Sequence, residues 1–343
     1  MQRSGTKPRL ARVVQCLALT ISLIVPLSAW ADVTQVRISR GFGAAYLPLY
    51  VMDAQGLLQK HAAAAGLGGV KVEYLLVDGG NHINDAMLAG TLDIASTGTG
   101  GYLVMWAKTK GNPKLEVIGL GGAASGGMVL TTRNPAVKSL RDFTEKDRIA
   151  VPGIKTSLGA ILLHMAVAKE FGDAEYAKLD PLTVGLAYPD AVAAMLSGKS
   201  EITAHMASPP FSFIELDSPG IHKVFNSVDV VGPLTTIMTF TTQQFAVGNP
   251  KMTSAFVAAL KEATEFSATR KEEAAKIYLQ TAKVKMTHND LMRVLNDPDL
   301  KYTLTPQGIM TYANFMHRVG MIKTKPETWK DVFVSDIGSL SGN

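Results

Sequence analysis

The spacing of apolar and polar positions predicts a strand, a helix and a second strand within residues 74–98. An aromatic and aliphatic run at residues 74–77 precedes an amphipathic helix, which Gly90 ends in the manner of a left-handed cap. The second strand, at residues 92–95, runs into small and hydroxylated residues, namely Ser96, Thr97 and Gly98. Parallel strands bind ligands at their carboxyl ends, beside helix N-termini, so these residues predict a ligand-binding edge.

Part of this unit is repeated further along the chain. Residues 86–94 read AMLAGTLDI and residues 194–202 read AMLSGKSEI, at a constant offset of 108 positions. Two such units in a chain of this length predict two similar α/β lobes, each carrying one copy. In this register Thr97 corresponds to His205, and we expect the two side chains to face each other across a cleft between the lobes.

The remaining pattern assigns residues to the lobes. A first strand is predicted at residues 33–39, and the glycine-rich passage 119–127 feeds a strand at the start of the second lobe. We expect lobe 1 to contain residues 32–127 and 236–343, and lobe 2 to contain residues 128–235. From Ile237 the chain is expected to become mainly helical. The amphipathic helices predicted there cover residues 251–268, 271–281, 288–295 and 305–320.

The first 31 residues predict a secretory signal peptide. A basic start is followed by an apolar run and by Ala29-Trp30-Ala31, a small-x-small cleavage site. Cleavage is expected after Ala31. A retained membrane anchor is the alternative, although the apolar run is shorter than a spanning helix.

Removing this segment changes the charge balance. The chain of 343 residues has 34 basic and 29 acidic residues, and the leader holds four of the basic ones, which leaves 30 against 29. No basic stripe with interleaved aromatic residues remains, so a nucleic-acid partner is not expected. The single cysteine, Cys16, also lies in the leader. An exported chain without thiols is typical of the bacterial periplasm.

Three segments resemble one family of proteins. Residues 46–58 (YLPLYVMDAQGLL), residues 90–94 (GTLDI) and residues 137–143 (VKSLRDF) are similar to the periplasmic solute-binding proteins of ABC importers. The resemblance is to the group that binds alkanesulfonates, taurine, nitrate and related small anions. Residues 144–147 (TEKD) depart from the usual lysine-glycine-lysine at a surface turn.

The resemblance implies an α/β fold of the type II periplasmic binding class. Two lobes, each a mainly parallel sheet flanked by helices, would be joined by two hinge crossings and would close on one small anion. The implied partners are this anion and the membrane permease of an ABC transporter, and the implied state is a monomer. No catalytic residue, cofactor or metal site is expected.

Hydroxyl residues at helix N-termini are the first candidates for ligand contact. Ser96, Thr97 and Gly98 serve lobe 1, whereas Lys155, Thr156 and Ser157 offer the same geometry in lobe 2 with a positive charge added. Simple helix capping is the alternative in both cases.

The other candidates come from loops and from the repeat. Arg40 suits a carboxylate or sulfonate through its bidentate fork, although a solvated loop arginine is the alternative. Phe42 and Tyr46 follow the same strand, and Tyr46 is either a cleft residue or a core residue. Ser125 is a ligand contact or part of a hinge, and His205 is a cleft residue or a buried structural histidine.

Two other functions remain open. An enzyme on the same fold would resemble the pyrimidine-precursor synthases of thiamine metabolism, but those carry a cysteine- and histidine-rich cluster, and the mature chain has no cysteine. A ligand-sensing module presented to a receptor kinase is the third possibility, and the sequence has no visible tether for it.

Overall fold

The computed structural model describes residues 1–2, 5, 33–77, 80–282 and 284–343. One compact unit spans Asp32–Asn343. The predicted export signal and its cleavage site lie outside the described residues, apart from residues 1, 2 and 5. Among the described residues, no helix is both long and apolar enough to cross a membrane.

Strands of the described chain form two sheets. In chain order they are β1 (Gln35–Arg40), β2 (Lys71–Leu76), β3 (Ile94–Gly98), β4 (Val117–Gly126), β5 (Val129–Thr132), β6 (Ile149–Val151), β7 (Thr183–Gly185), β8 (Ala204–Ala207), β9 (His222–Asn226), β10 (Leu234–Thr242) and β11 (Lys301–Tyr302). The first sheet has the order β11-β4-β10-β3-β1-β2, and the second has the order β7-β6-β8-β5-β9.

The two sheets share one pairing pattern. In the first, β1 is parallel to β2 and β3, and β10 is antiparallel to β3 and β4. In the second, β6 is parallel to β7 and β8, and β5 is antiparallel to β8 and β9. The prediction of two similar α/β lobes is therefore confirmed.

Helices flank both sheets. They are α1 (Leu47–Ala54), α2 (Leu57–Ala64), α3 (Gly80–Leu88), α4 (Thr99–Thr109), α5 (Leu158–Phe171), α6 (Tyr188–Ser197), α7 (Phe211–Leu216), α8 (Ser227–Val231), α9 (Gln243–Gly248), α10 (Pro250–Thr269), α11 (Lys271–Thr281), α12 (His288–Leu295), α13 (Ile309–Arg318) and α14 (Ser335–Gly338). Short 3-10 turns cover Ala44–Tyr46, Leu140–Asp142, Asp173–Glu175, Asp180–Leu182 and Trp329–Val332.

Capping explains the bounds of the longest helix of the second lobe. The Ser157 hydroxyl accepts a hydrogen bond from the Ala160 amide at 3.3 Å and so starts α5. Gly172 follows its last residue with a positive φ of 95°. Between these caps the helix is almost wholly buried, which agrees with its nearly uninterrupted apolar sequence.

The chain passes between the sheets twice. The first passage lies between β4 and β5, at residues 127–128, and the second lies between β9 and β10 and includes α8. Both passages fall beside the predicted lobe limits at 127/128 and 235/236. The limits themselves stay a prediction, since a hinge is defined by motion.

Two elements differ from expectation. The glycine-rich passage is not a connection, because most of it belongs to β4, a fully buried strand of the first sheet. The chain also does not turn helical at Ile237, which lies within the nine-residue strand β10. Each strand is the other's principal neighbour, and their pairing contains several register shifts.

The main hydrophobic core is continuous across the two lobes. It includes Ile38 and Ile94 beneath the first sheet, and Leu130, Val151 and Met206 of the second. A separate small cluster of Ala150, Ala191, Met195 and Ile202 fills the other face of the second sheet. The sheets are thus rigid supports for the loops at their carboxyl ends.

Candidate binding site

A small pocket lies where strands of both sheets end. β1 and β3 of the first sheet and β6 and β8 of the second reach it with their carboxyl ends, and the start of β10 closes one side. We call it the inner pocket, and its volume is about 30 Å³. It is lined by Phe42, Ala45, Tyr46, Thr97, Gly98, Pro152, Ser157, Leu158, Tyr188, Ser208, Thr236 and Ile237.

Two helix N-termini meet at the inner pocket. Gly98 is the N-cap of α4, and Ser157 is the N-cap of α5. They come from opposite lobes and touch closely, because a Cβ built on Gly98 would lie only 2.6 Å from the Cβ of Leu158. Unpaired amides and the positive ends of two helix dipoles therefore converge on one small volume, which favours a negative group.

Hydroxyl groups add hydrogen-bonding capacity. Thr97 is 3% exposed, and no hydrogen bond joins its hydroxyl to another described residue. The Thr236 hydroxyl donates to the carbonyl of Ala124 at 3.1 Å and keeps an acceptor lone pair. Thr97 is thus the buried polar group of the inner pocket whose bonding capacity the described protein leaves unused.

Aromatic rings form the remaining wall. Tyr188 stacks on Phe211 with ring centroids 5.4 Å apart and planes 4° apart. Phe42 and Tyr46 approach from the other lobe. Aromatic rings from both lobes therefore border the inner pocket.

Charged side chains lie outside the lining of the inner pocket. Among the residues that the structure describes, no Lys, Arg, His, Asp or Glu lines it. The Arg40 guanidinium donates to Asp53 at 2.7 Å and lies 4.3 Å from the ring centre of Tyr50. The Lys155 ammonium is 3.8 Å from the Asp180 carboxylate on an exposed side chain. Recognition of an anion here would rest on neutral donors and helix dipoles.

A sequence model of one family matches most of the chain. The model of the NMT1-like family aligns with residues 30–282, which exceed half of the 343 residues. The chain belongs to the NMT1-like family. No curated protein sequence matches it.

Solved structures of similar shape share the fold of this NMT1-like chain. The alkanesulfonate-binding protein SsuA from Xanthomonas axonopodis pv. citri, bound to MOPS, is 17% identical, with a TM-score of 0.65 over 85% of this chain and 95% of that one. The periplasmic nitrate-binding protein NrtA from Synechocystis PCC 6803 is 16% identical, with a TM-score of 0.66 over 90% and 88%.

A third likeness names the architecture directly. A conserved gene product of Candida albicans with the generic periplasmic binding protein structural fold is 14% identical, with a TM-score of 0.64 over 85% of this chain and 92% of that one. The NMT1-like chain therefore has the two-lobe periplasmic binding protein fold, as its sequence predicts.

The inner pocket of this NMT1-like chain contains some of the predicted site residues and not others. The structure brings together Phe42, Tyr46, Thr97, Gly98 and Ser157. It does not place Arg40, Ser96, Ser125, Lys155, Thr156 or His205 in the described lining. Ser157 both caps α5 and lines the pocket, so the two interpretations of that residue are compatible.

His205 is the main departure from the expected register. Its side chain is fully buried, and Nδ1 lies 2.6 Å from Oε1 of the equally buried Glu215. The second Glu215 oxygen accepts from the Thr131 hydroxyl at 2.5 Å. His205 Nε2 has no hydrogen-bond partner among the described residues, and the ring lies 5.6 Å behind that of Tyr188. His205 therefore does not face Thr97 across the cleft, and it supports the aromatic wall from behind.

The other displaced residues have structural contacts. The Ser96 hydroxyl bonds to the Ser39 carbonyl inside the first sheet. Ser125 is buried on β4, and its hydroxyl has no partner among the described residues. The Thr156 hydroxyl bonds to the Ile154 carbonyl at 3.5 Å. The contacts of Ser96 and Thr156 direct these two side chains toward their own lobes.

Sequence reasoning missed several lining residues. Tyr188 stands at the start of the repeated helix, and Ser208 follows β8 before the Pro209-Pro210 pair, so a signal existed for both. Ile237 was not predicted because the chain was expected to become mainly helical from that residue, and Thr236 directly precedes it. The further residues missed are Ala45, Pro152 and Leu158.

Proposed function

We propose that this chain is an extracytoplasmic solute-binding receptor, which captures a small anion between its lobes and delivers it to the permease of an ABC importer. The observation that carries the proposal is the meeting of two helix N-termini from opposite lobes around the unpartnered Thr97 hydroxyl. A ligand that bonds to both lobes stabilises the closed arrangement through contacts that an open one lacks.

Several observations support a receptor over an enzyme. The described lining of the inner pocket has hydroxyls and aromatic rings, but no His, Asp, Glu, Lys or Cys that could act as a general base or activate a serine or threonine hydroxyl as a nucleophile. The structurally similar proteins include sulfonate-binding and nitrate-binding proteins. The sequence pattern of an export signal at residues 1–31 supports action outside the cytoplasm, in the periplasm, and we propose a monomer.

The test is calorimetric titration with matched anions and neutral analogues, such as acetate and acetamide or methanesulfonate and its amide. We expect anions to bind more tightly, because helix dipoles favour charge. Thr97→Val should raise Kd about 10-fold, since it removes a hydrogen bond to a charged group. Thr34→Val, at an exposed position outside the pocket, is the matched control.

Two results would contradict the receptor. Conversion of a bound compound into product, followed by chromatography over many equivalents, would show an enzyme. Equal Kd values for Thr97→Val and Thr34→Val with every ligand that binds would show that recognition takes place elsewhere.

A further inference from the structure

Two ion pairs join the lobes outside the inner pocket. Arg293 of α12 pairs with Asp217, which follows α7, and Arg318 at the end of α13 pairs with Asp173, two residues beyond α5. Both arginines lie after β10 of the first sheet, whereas both aspartates lie in the segment of the second sheet. We call these two contacts the interlobe pairs. The other ion pairs among the described residues each lie within one lobe.

The pair of Arg318 and Asp173 has a defined geometry. The Arg318 guanidinium donates to both carboxylate oxygens, through Nη2 to Oδ1 at 3.2 Å and through Nε to Oδ2. Hydrogen bonding to Arg318 lowers the pKa of Asp173 below its usual range, so this carboxylate is charged at neutral pH. A bidentate contact of this kind fixes the orientation of its two partners as well as their distance.

An aromatic contact between the lobes accompanies each interlobe pair. The Arg293 guanidinium lies 5.5 Å from the ring centre of Phe213 on α7, so it contacts the second lobe at two places. Phe315, three residues before Arg318 on α13, meets Tyr176 of the second lobe edge to face, with ring centroids 6.4 Å apart. Cation-π and edge-to-face geometries are both attractive. Each interlobe pair is therefore part of a small contact patch between the lobes.

The interlobe pairs lie on separate groups of helices. α12 packs against α11, which packs against α1, whereas α13 packs against α4. Rotation of one lobe about an axis through either pair would keep that pair but would separate the other. Two such contacts therefore restrict opening more than one does. None of the four charged residues lines the inner pocket.

We propose that the interlobe pairs hold the two lobes closed in the absence of ligand, and so act as positioning contacts for the inner pocket. The inner pocket needs both lobes in place, because its two helix N-termini come from different lobes. The apparent Kd of a ligand that binds the closed arrangement falls as the closed fraction of the free protein rises. This consequence for affinity rests on the proposed function, whereas the role in closure does not.

The first experiment measures closure without ligand. Cys16 is the single cysteine of the chain, so a Cys16→Ser chain accepts spin labels at two introduced cysteines, Gln55→Cys and Lys199→Cys. These exposed positions follow α1 and α6, whose residues Tyr50 and Val192 line one cavity from opposite lobes. Double electron-electron resonance gives the distance distribution between the labels, and the closed arrangement is the population at short distance.

We expect the ligand-free protein to have such a population in 0.1 M NaCl. Arg293→Ala and Arg318→Ala should each lower the ratio of closed to open protein about 2- to 5-fold, which is the range for partly exposed ion pairs. The four side chains are 44% to 56% exposed, so salt screens them. NaCl at 1 M should lower the ratio in the same way, because the Debye length falls from about 10 Å to about 3 Å. The double variant should respond little to salt.

Two comparisons separate closure from a general loss of charge. Arg141→Ala is the matched control, because Arg141 is 61% exposed and pairs with Glu170 at 2.5 Å within the second lobe. It should leave the distance distribution unchanged. Arg318→Asp alone should open the lobes, and its combination with Asp173→Arg should restore closure by exchanging the charges. Melting curves check that every variant folds.

The second experiment connects closure with affinity. In calorimetric titration with methanesulfonate, each arginine variant should raise Kd about 2- to 5-fold, in proportion to its loss of closed protein. Arg141→Ala should bind methanesulfonate as the unmodified chain does. The combination of Arg318→Asp with Asp173→Arg should recover most of the affinity that Arg318→Asp loses.

The outcomes distinguish this inference from the proposed function. The inference is overturned if the ligand-free protein has no population at short distance, if the double arginine variant keeps that population, or if Arg141→Ala loses it equally. If the distances respond as expected but methanesulfonate and the other small anions do not bind, the proposed function fails and the role of the interlobe pairs in closure stands.

Discussion

The two sheets of this protein are built on one plan but end differently at the cleft. β3 occupies the place in the first sheet that β8 occupies in the second, each between a parallel and an antiparallel neighbour. β3 passes directly into α4 through Gly98. β8 is instead followed by Ser208, Pro209 and Pro210 before α7 begins.

This difference moves the cleft-facing position along the chain. In the first lobe Thr97 lines the inner pocket from within the strand, whereas in the second lobe Ser208, just beyond the strand, lines it. The residue in the repeat register of Thr97 is His205, which is buried against Glu215. A duplicated topology therefore preserves the support of a site without preserving which residue reaches the ligand.

The largest expected effect concerns Glu215, which binds His205 in the interior of the second lobe. Glu215→Leu would leave His205 and Thr131 buried without their shared partner. We expect a loss of about 3 to 5 kcal/mol in the free energy of unfolding, measured by urea denaturation, because desolvated polar groups are costly when unpaired.

Glu265→Leu is the matched control for this change. Glu265 is exposed on α10 and lies 4.0 Å from Lys261, so its replacement should alter the free energy of unfolding by less than about 0.5 kcal/mol. If both variants unfold at the same urea concentration, the buried contacts of Glu215 do not stabilise the second lobe.

The next effect concerns the contact between α4 of one lobe and α5 of the other. A Cβ on Gly100 would lie 2.8 Å from Cγ1 of Ile161, although alanine suits a helix better than glycine. Gly100→Ala should therefore hold the lobes apart, at a cost of about 1 to 3 kcal/mol in the closed arrangement. Ligand Kd, measured by calorimetry, should rise about 5- to 150-fold.

Two further variants test whether the contact between α4 and α5 causes the expected rise in Kd. Gly68→Ala places a methyl group where nothing lies within 4 Å, and it should leave Kd unchanged. Ile161→Ala removes the atoms that Gly100→Ala would strike, so the double variant should bind better than the sum of the single changes predicts. Strict additivity would mean that the two helices do not limit closure.

The fold was predictable wherever local chemistry marks an element. The sequence patterns for α11 and α12 give the bounds that the structure has, because Thr287 caps α12 and the apolar spacing is regular. β4 and β10 were not predictable in this way. Their fit depends on distant partners, as at Gly119, where a Cβ would lie 2.7 Å from the Phe333 ring.

The site was predictable to the extent that strand ends define it. Thr97, Gly98 and Ser157 follow from the rule that parallel sheets bind at their carboxyl ends. Arg40 was expected to bind a ligand because of its charge, but Asp53 and Tyr50 satisfy that charge within its own lobe. Thr236 joins the inner pocket through packing of the two lobes, which no local pattern reports.

A smaller contrast lies at the start of the repeated strands, where Asp93 and Glu201 are equivalent in the repeat. Asp93 accepts hydrogen bonds from the Arg37 side chain at 2.8 and 2.9 Å and from the Arg37 amide at 2.8 Å. This pairing raises the pKa of Arg37. Glu201 is exposed, and Arg133 instead bonds to the carbonyls around it, those of Gly198 and Ile202, at 2.9 and 2.8 Å.

The smallest predicted effect follows from that contrast. Asp93→Ala should lower the free energy of unfolding by about 1 to 2 kcal/mol, since the bidentate pair is only partly exposed to solvent. Glu201→Ala should change it by less than about 0.5 kcal/mol. Arg133→Ala should resemble Asp93→Ala in urea denaturation, because each residue fastens the same turn in its own lobe. If Glu201→Ala lowered the free energy of unfolding as much as Asp93→Ala does, the acidic residue of each repeat copy, and not the arginine contacts, would stabilise the turn.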